Sequence, residues 1–370
     1  MLNPSQVHDF QKKLLAWFRE FRRDLPWRRS RNPYHIWVSE IMLQQTRVAA
    51  AVPYYERFLA HFPTISALAA APPEEVLRLW SGLGYYSRAR NLQKAAKQIV
   101  AKHGGEFPTD PEAVLALPGI GSYTTAAILS IAFDKQRAVL DGNVARVLAR
   151  LGAVRGDVRE SRRWRDLQKT ADAYLDATAP GDWNQAMMEL GATVCTPKSP
   201  QCLLCSVNEF CKGRKLGIAE ALPEKRAKRA AVKITLAAAV FCDEKNRTLL
   251  LPPPRKSQVR SADDIPSLVS NMWHFPIISV KKNARAELRS YLQKSAALRG
   301  TTKAQFQEMR SLRHTVTYRE ITILPFRISL KSLPRIRGAK QTPLRKVSRL
   351  MVSNLTRKVA QAVSAHSASG

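Results

Sequence analysis

Residues 117–143 constrain this chain more than any other stretch. Leu117-Pro118-Gly119-Ile120-Gly121 must turn sharply, because proline fixes one backbone angle and glycine supplies conformations other residues resist. The run that follows, with Ala126, Ala127, Leu129 and Ile131, predicts a packed helix. Its start bares backbone N–H groups at Gly119 and Gly121, a site suited to an anion such as a phosphate. Asp141-Gly142-Asn143 then precedes Val144, Val147, Leu148 and Leu151, an i, i+3, i+4, i+7 stripe. Asp141 therefore sits at a helix N-terminus, as a plain cap, as a reacting carboxylate, or as both. Acid–base chemistry would need a second carboxylate.

Charge names the partner class. Lys and Arg number 60 and Asp and Glu 29, a formal net charge of +31, and no acid follows Glu320. Such a balance favours a polyanion; a basic protein that is merely soluble or binds acidic membranes is the alternative, and the phosphate turn points to nucleic acid. A hydrophobic share of 45% over 370 residues supports two packed domains. No apolar run approaches a membrane span, and Met1 to Asp9 lacks the apolar core of a signal peptide.

The candidate second acid lies in the first sixty residues. Phe10, Leu14, Trp17, Phe18 and Phe21 predict an amphipathic helix over 8–23, followed by a basic loop around Pro26-Trp27. Trp27 and Arg28 are either a core anchor and a solvated charge or the walls of a pocket for a flat ring. Asn32-Pro33 starts a helix expected to run through Trp37, Glu40, Leu43, Gln45 and Arg47. Trp37, Ile41 and Val48 make its buried side, with Glu40, Gln44 and Arg47 on another. Glu40 is the only acid between Asp24 and Glu56. It is either on a wetted face or partly buried, and burial would let it hold a proton for delivery. Gly82-Leu83-Gly84-Tyr85-Tyr86 breaks the next helical pattern. Its tyrosines fill the core or wedge into a base stack, with Arg88 and Arg90 on phosphates. No alternating strand occurs before about residue 220, so this part reads as all-α.

Cys195-x6-Cys202-x2-Cys205-x5-Cys211 holds four of the five cysteines. Tight clustering argues for metal in a reducing compartment and against a disulfide framework. Zinc and an iron–sulfur cluster both remain open on spacing.

Taken in order, these segments resemble the MutY family of adenine DNA glycosylases, in the helix–hairpin–helix glycosylase superfamily. The residues carrying the resemblance are Trp37 to Thr46, Gly82 to Tyr86, Leu117 to Gly121, Asp141 to Asn143 and the cysteine loop. It covers residues 8–215 densely. It implies a two-lobed all-α catalytic region over 1–220, a [4Fe–4S] cluster on the four cysteines at 195–211, and double-stranded DNA in the cleft. It also implies removal of adenine opposite 8-oxoguanine or guanine, by a monomer acting in the cytoplasm at the nucleoid, or in a nucleus. Glu40 matches the acid that protonates adenine, and Asp141 the carboxylate that steadies an oxocarbenium-like sugar. Tyr123 falls where related bifunctional enzymes carry the lyase lysine. Tyrosine has no amine for a Schiff base, so base removal without strand cleavage is expected. Gln45 and Tyr85 match residues inserted near the lesion, and Trp27, Arg28, Leu43 and Gln185 match the adenine pocket. Gly119, Gly121 and Asn143 belong to the DNA-contacting motifs.

Residues 221–231 read as a charged linker, from Glu224-Lys225-Arg226-Ala227-Lys228-Arg229. Beyond it, Val232 to Leu236, Ala237 to Phe241, Thr315 to Ile323 and Leu324 to Leu330 predict strands, with a hairpin turn at Glu244-Lys245-Asn246. The second half is therefore α+β, and its position resembles the Nudix-like, 8-oxoguanine-reading domain of the family, over 232–360 with a tail at 361–370. Trp273-His274-Phe275-Pro276 lacks the glutamate of the family segment. Thr317, in Val316-Thr317-Tyr318, keeps only the hydroxyl of the family's Phe-Ser-His. No Nudix hydrolase box is present. The rivals are a superfamily enzyme for another mismatch such as G·T, and a non-catalytic iron–sulfur DNA-binding module.

Overall fold

The computed structural model describes residues 2–224, 230–253, 272–295, 298–316, 318–350 and 352–366. The chain divides into two compact units, Met1–Ala227 and Lys228–Gly370. Thr317 lies outside the described residues.

The first unit is helical. Its early helices are α1 (Pro4–Phe21), α2 (Pro33–Leu43), α3 (Val48–His61), α4 (Ile65–Ala70), α5 (Pro73–Trp80) and α6 (Ser87–His103). Then come α7 (Pro111–Leu115), α8 (Ser122–Phe133), α9 (Gly142–Gly152), α10 (Ser161–Tyr174), α11 (Pro180–Thr193) and α12 (Lys212–Lys215). Their starts follow capping chemistry: Asn3, Asn32, Thr64, Asp110 and Asp141 each accept from backbone N–H groups of the first turn. The helix expected from residue 8 begins at Pro4, because Asn3 and Gln6 close a capping box ahead of the apolar stripe.

One core gathers α1, α8, α9, α10 and α11 around Phe10, Leu14, Phe18, Leu148 and Trp183. Phe10 meets Trp183 edge-on at 5.3 Å. Helix α11 lies very close to its neighbours. A Cβ at Gly181 would stand 2.7 Å from the Ser130 carbonyl oxygen, and one at Gly191 2.7 Å from the Asn143 Cβ. Only glycine permits that approach, and it fixes α11 against both α8 and the N-terminus of α9. Helix α2 packs on α8 from another side. It is buried nearly all round, from Ile36 to Met42. The expectation that it continues to Arg47 fails. It ends at Leu43, Gln45 turns left-handed with φ of 58°, and Val48 opens α3.

The second unit holds β1 (Val232–Cys242), β2 (Arg247–Leu250), β3 (Ile277–Ser279), α13 (Ala284–Lys294), β4 (Phe306–Glu308), β5 (Leu312–Val316), β6 (Arg319–Ser329), β7 (Lys340–Pro343) and α14 (Asn354–His366). Strands order as β3-β1-β6-β4 with β5 also on β6, and β2 pairs β7 in a separate sheet. Strand β1 runs parallel to β6 and antiparallel to β3. Its side chains alternate between two cores. Leu236, Ala238 and Val240 face the α14 residues Leu355 and Val359, whereas Ala237, Ala239 and Phe241 face Leu288 and Leu292 of α13. Burial on both faces explains the unbroken apolar run. The turn after β1 forms, with the Asp243 carboxylate accepting from Lys245 N and Arg247 N. It does not close a β1–β2 hairpin, because β3 and β6 already occupy both edges of β1. The two strands expected over Thr315 to Leu330 are instead divided otherwise: β5 ends at Val316, β6 begins at Arg319 antiparallel to it, and β6 runs unbroken across Pro325. Residues 361–366, expected as tail, are the last turns of α14, with Val363 buried.

Candidate active site and metal centre

A cavity of about 340 Å³ opens in the first unit, where α2, α8, α9 and α11 meet the loop before α2. Glu40, Tyr123, Asp141 and Asn143 line its chemistry-bearing wall. Trp27, Arg28, Leu43, Gln45 and Gln185 line the rest of the expected set. Tyr85, Gly119 and Gly121 lie elsewhere in the unit.

Glu40 is buried, which decides against a wetted face. Loss of water pushes its carboxyl up to about 7, opposed by the hydrogen bond from Tyr123 and the charge of Arg28, and reinforced by Asp141. The Tyr123 hydroxyl donates to Glu40 Oε2 at 2.8 Å and has Met188 Sδ at 3.1 Å as a second acceptor. Asp141 caps α9. One oxygen accepts from Asn143 N at 2.9 Å and Val144 N at 2.8 Å, and the other from Asn143 Nδ2 at 2.9 Å. Those donors hold its carboxyl down, yet burial outweighs them and the net direction is upward. Asp141 is therefore both the cap of α9 and a half-buried carboxyl.

Glu189 was not anticipated. It sits one turn beyond Gln185 on α11, and that i+4 spacing from a pocket residue was the available signal. Its side chain is 1% exposed and takes Arg23 through both oxygens and Arg28 Nη2 at 2.8 Å. The two guanidinium groups hold its carboxyl down at about 2 despite burial. Arg28 also donates to the Arg23 carbonyl and lies over the Phe18 ring. Arg28 is therefore fixed, not solvated. Trp27 packs edge-on against Tyr55, making it pocket wall and core anchor together.

Tyr85 and Tyr86 separate: Tyr86 is buried, whereas Tyr85 is 56% exposed with φ of 47°. Arg88 departs from its expected phosphate role and turns inward. Gly119 has φ of 82°, and a Cβ there would come within 2.8 Å of the Asn91 Cβ, so both conformation and space require glycine. Gly121 caps α8 without any side-chain partner.

The four clustered cysteines border a common cavity of about 30 Å³ with Arg150. Among the described residues no three His, Cys, Asp or Glu side chains converge on a single-ion site. Arg150 Nη1 reaches Cys195 Sγ at 3.3 Å, and its Nη2 is buried without a partner. A buried cation with an unused donor suits a negatively charged thiolate-bound cluster. Burial pushes the Cys205 thiol up to about 11, so metal, not the protein alone, would deprotonate it. Cys242 is buried in the other unit and stands apart.

Residues 38–182 match the family described as HhH-GPD superfamily base excision DNA repair protein, and residues 195–211 match the iron–sulfur binding domain of endonuclease III. Both matches fall within the first unit, which is thus similar to base excision DNA repair proteins of the HhH-GPD superfamily and to the iron–sulfur domain of endonuclease III. Within that class its similarity is to adenine DNA glycosylases. The enzyme of Rattus norvegicus is 48% identical over 56% of this chain and 42% of its own length. That of Buchnera aphidicola (strain Bp) is 41% identical over 55% of this chain and 58% of its own. A solved thermostable thymine-DNA glycosylase aligns with a TM-score of 0.53 at 28% identity, over 57% of this chain and 98% of that one. The chain spans about half the length of the curated relatives it matches. No helix among the described residues is long and apolar enough to cross a membrane.

Proposed function

We propose that the chain is a monofunctional DNA glycosylase that removes adenine paired with 8-oxoguanine or guanine. The observation that carries this reading is the shared pocket of Glu40 and Asp141, with one acid raised to about 7. A base inside a duplex is out of reach, so adenine must be extruded into the cavity. Adenine leaves poorly as an anion and needs a ring proton. Tyr123 occupies Glu40 Oε2, so Oε1 is the oxygen that carries and gives up that proton. Asp141, held by the α9 N-terminus, then faces the positive charge developing on the sugar as the N-glycosidic bond breaks. Water then adds to C1′ of the sugar and its released proton passes to the Glu40 carboxylate, which restores the acid. Trp27, Arg28, Leu43 and Gln185 shape the base pocket. Gln45 and Tyr85 enter the duplex near the lesion. Gly119, Gly121 and Asn143 hold the flanking strand. A [4Fe–4S] cluster on the four cysteines braces the end of the unit. The second unit is Nudix-like and reads 8-oxoguanine on the opposite strand, with Thr317 at the contact.

The test is excision from duplexes carrying adenine opposite 8-oxoguanine, guanine or cytosine, alongside a G·T duplex. The expected product is an intact strand with an abasic site, cut only after hot alkali. Thymine release from G·T without adenine release would replace this reading with the superfamily rival. Strand scission without alkali would refute the role given to Tyr123.

A further inference from the structure

Arg88 is a charged side chain with almost no access to water, being 8% exposed. It lies at the first turn of α6, yet its guanidinium serves other segments. Nη1 approaches the carbonyl oxygens of Ile41 at 2.8 Å, Met42 at 2.9 Å and Gln44 at 2.6 Å. These belong to the C-terminal end of α2, whose last carbonyls have no helical partner of their own. Nη2 approaches Thr46 Oγ1 at 3.3 Å and the carbonyl oxygens of Leu83 at 3.2 Å and Gly84 at 3.2 Å. The cation also lies over the rings of Trp80, at 5.3 Å, and Tyr85, at 5.6 Å. One side chain therefore touches the helix that carries Glu40, the turn that carries Gln45 and the turn that carries Tyr85.

Both turns are left-handed at a residue other than glycine, Gln45 at φ of 58° and Tyr85 at φ of 47°. Such conformations cost energy and persist only where surroundings impose them. Here the imposing group is common to both. A planar guanidinium can span acceptors on two segments, whereas an ammonium presents a single point.

We infer that Arg88 is the positioning residue that locks the Gln45 and Tyr85 turns in register with the Glu40 helix. Entry of the two turns into the duplex and delivery of the base to the acid are then one geometric event. The inference rests on the function proposed above only for what the two turns do. The mechanical coupling stands on the hydrogen bonds.

The experiment compares the unsubstituted chain with Arg88→Lys and, as a milder probe, Thr46→Val. Backbone hydrogen exchange is measured on the DNA-free full chain. In Arg88→Lys, residues 44–46 and 82–86 should both exchange roughly tenfold faster, while α8 and α9 keep their protection. Thr46→Val should move the same two segments less. A response in one segment alone, or in neither, overturns the inference. Loss of protection through the whole unit in both variants also overturns it, since Arg88 would then be an ordinary core residue. A second arm places 2-aminopurine at the target position and follows its fluorescence as the base leaves the stack. Arg88→Lys should lower extrusion while the pH midpoint of excision stays put. Normal extrusion with a displaced midpoint would make Arg88 a tuner of acidity and contradict the inference. The exchange arm needs no substrate. If the unsubstituted chain failed to excise adenine, the functional reading would fall and the coupling would still be decided.

Discussion

At the scale of single residues, the site is governed by what surrounds three carboxyl groups, Glu40, Asp141 and Glu189. Glu40 and Asp141 are raised by the same cause, but only Asp141 has three N–H donors against it. Donors and burial both distinguish Glu40, the proposed acid, from Asp141, the proposed stabiliser. Glu189 is the counterexample in the same cavity. Two arginines outweigh its burial and hold it at about 2. A carboxyl depressed in the folded state stabilises above its unfolded value, and that stability is lost as pH falls from about 4.5 through about 2. Glu189→Gln should therefore flatten acid unfolding between those values, where the native group contributes about 3 kcal/mol. At neutral pH the same variant should be destabilised by about 3 kcal/mol, because Arg23 and Arg28 lose their partner. Denaturant melts as a function of pH check both. Equal acid limbs for the two proteins would remove Glu189 from the account.

At the scale of elements, the starts of α2 and α9 were legible, the start of α1 was placed four residues late, and the end of α2 was not legible. Asn32-Pro33 and Asp141-Gly142 announce their helices through side-chain oxygens that satisfy free N–H groups. The end of α2 carries no such local sign. Its last carbonyls are taken by Arg88, more than forty residues away. Tertiary hydrogen bonding of that kind leaves no periodicity to read. Glu189 escaped for a related reason: its partners are distant in sequence, and a lone acid on a helix reads as surface. Glycine in α11 was equally silent, although it sets the distance from α11 to Asn143. Gly191→Ala should cost about 1–3 kcal/mol through overpacking and slow excision by displacing the α9 N-terminus. Thermal melts and single-turnover rates would show it, and an unaffected rate would detach α11 from the site. At the metal end, Arg150→Met should purify with less iron than the unsubstituted chain, which should be brown with four irons per molecule. Full iron in the variant would leave the unused Arg150 donor without a purpose.

At the scale of the whole molecule, charge and chemistry are distributed differently. The pocket holds the acids, whereas the end of the chain excludes them, with no Asp or Glu after Glu320. Arg335, Arg337, Lys340, Arg345 and Lys346 are all exposed there. Affinity for duplex DNA should fall with salt at a log–log slope of roughly −5 or steeper. Replacing Arg335 and Arg337 by Glu should flatten that slope by about 2 without altering the excision rate on saturated enzyme. A slope unchanged by the pair would separate this basic stretch from DNA. The central claim concerns the cavity itself: one carboxyl there still carries its proton near neutrality and spends it on the departing base. The most direct measurement is the single-turnover rate of adenine release against pH, for the unsubstituted chain and for Glu40→Gln. The account predicts a rate that falls above about pH 7, the value to which burial raises Glu40, and a loss on the order of a hundredfold or more in the variant. A rate flat through neutrality, or a Glu40→Gln chain as fast as its parent, would contradict it.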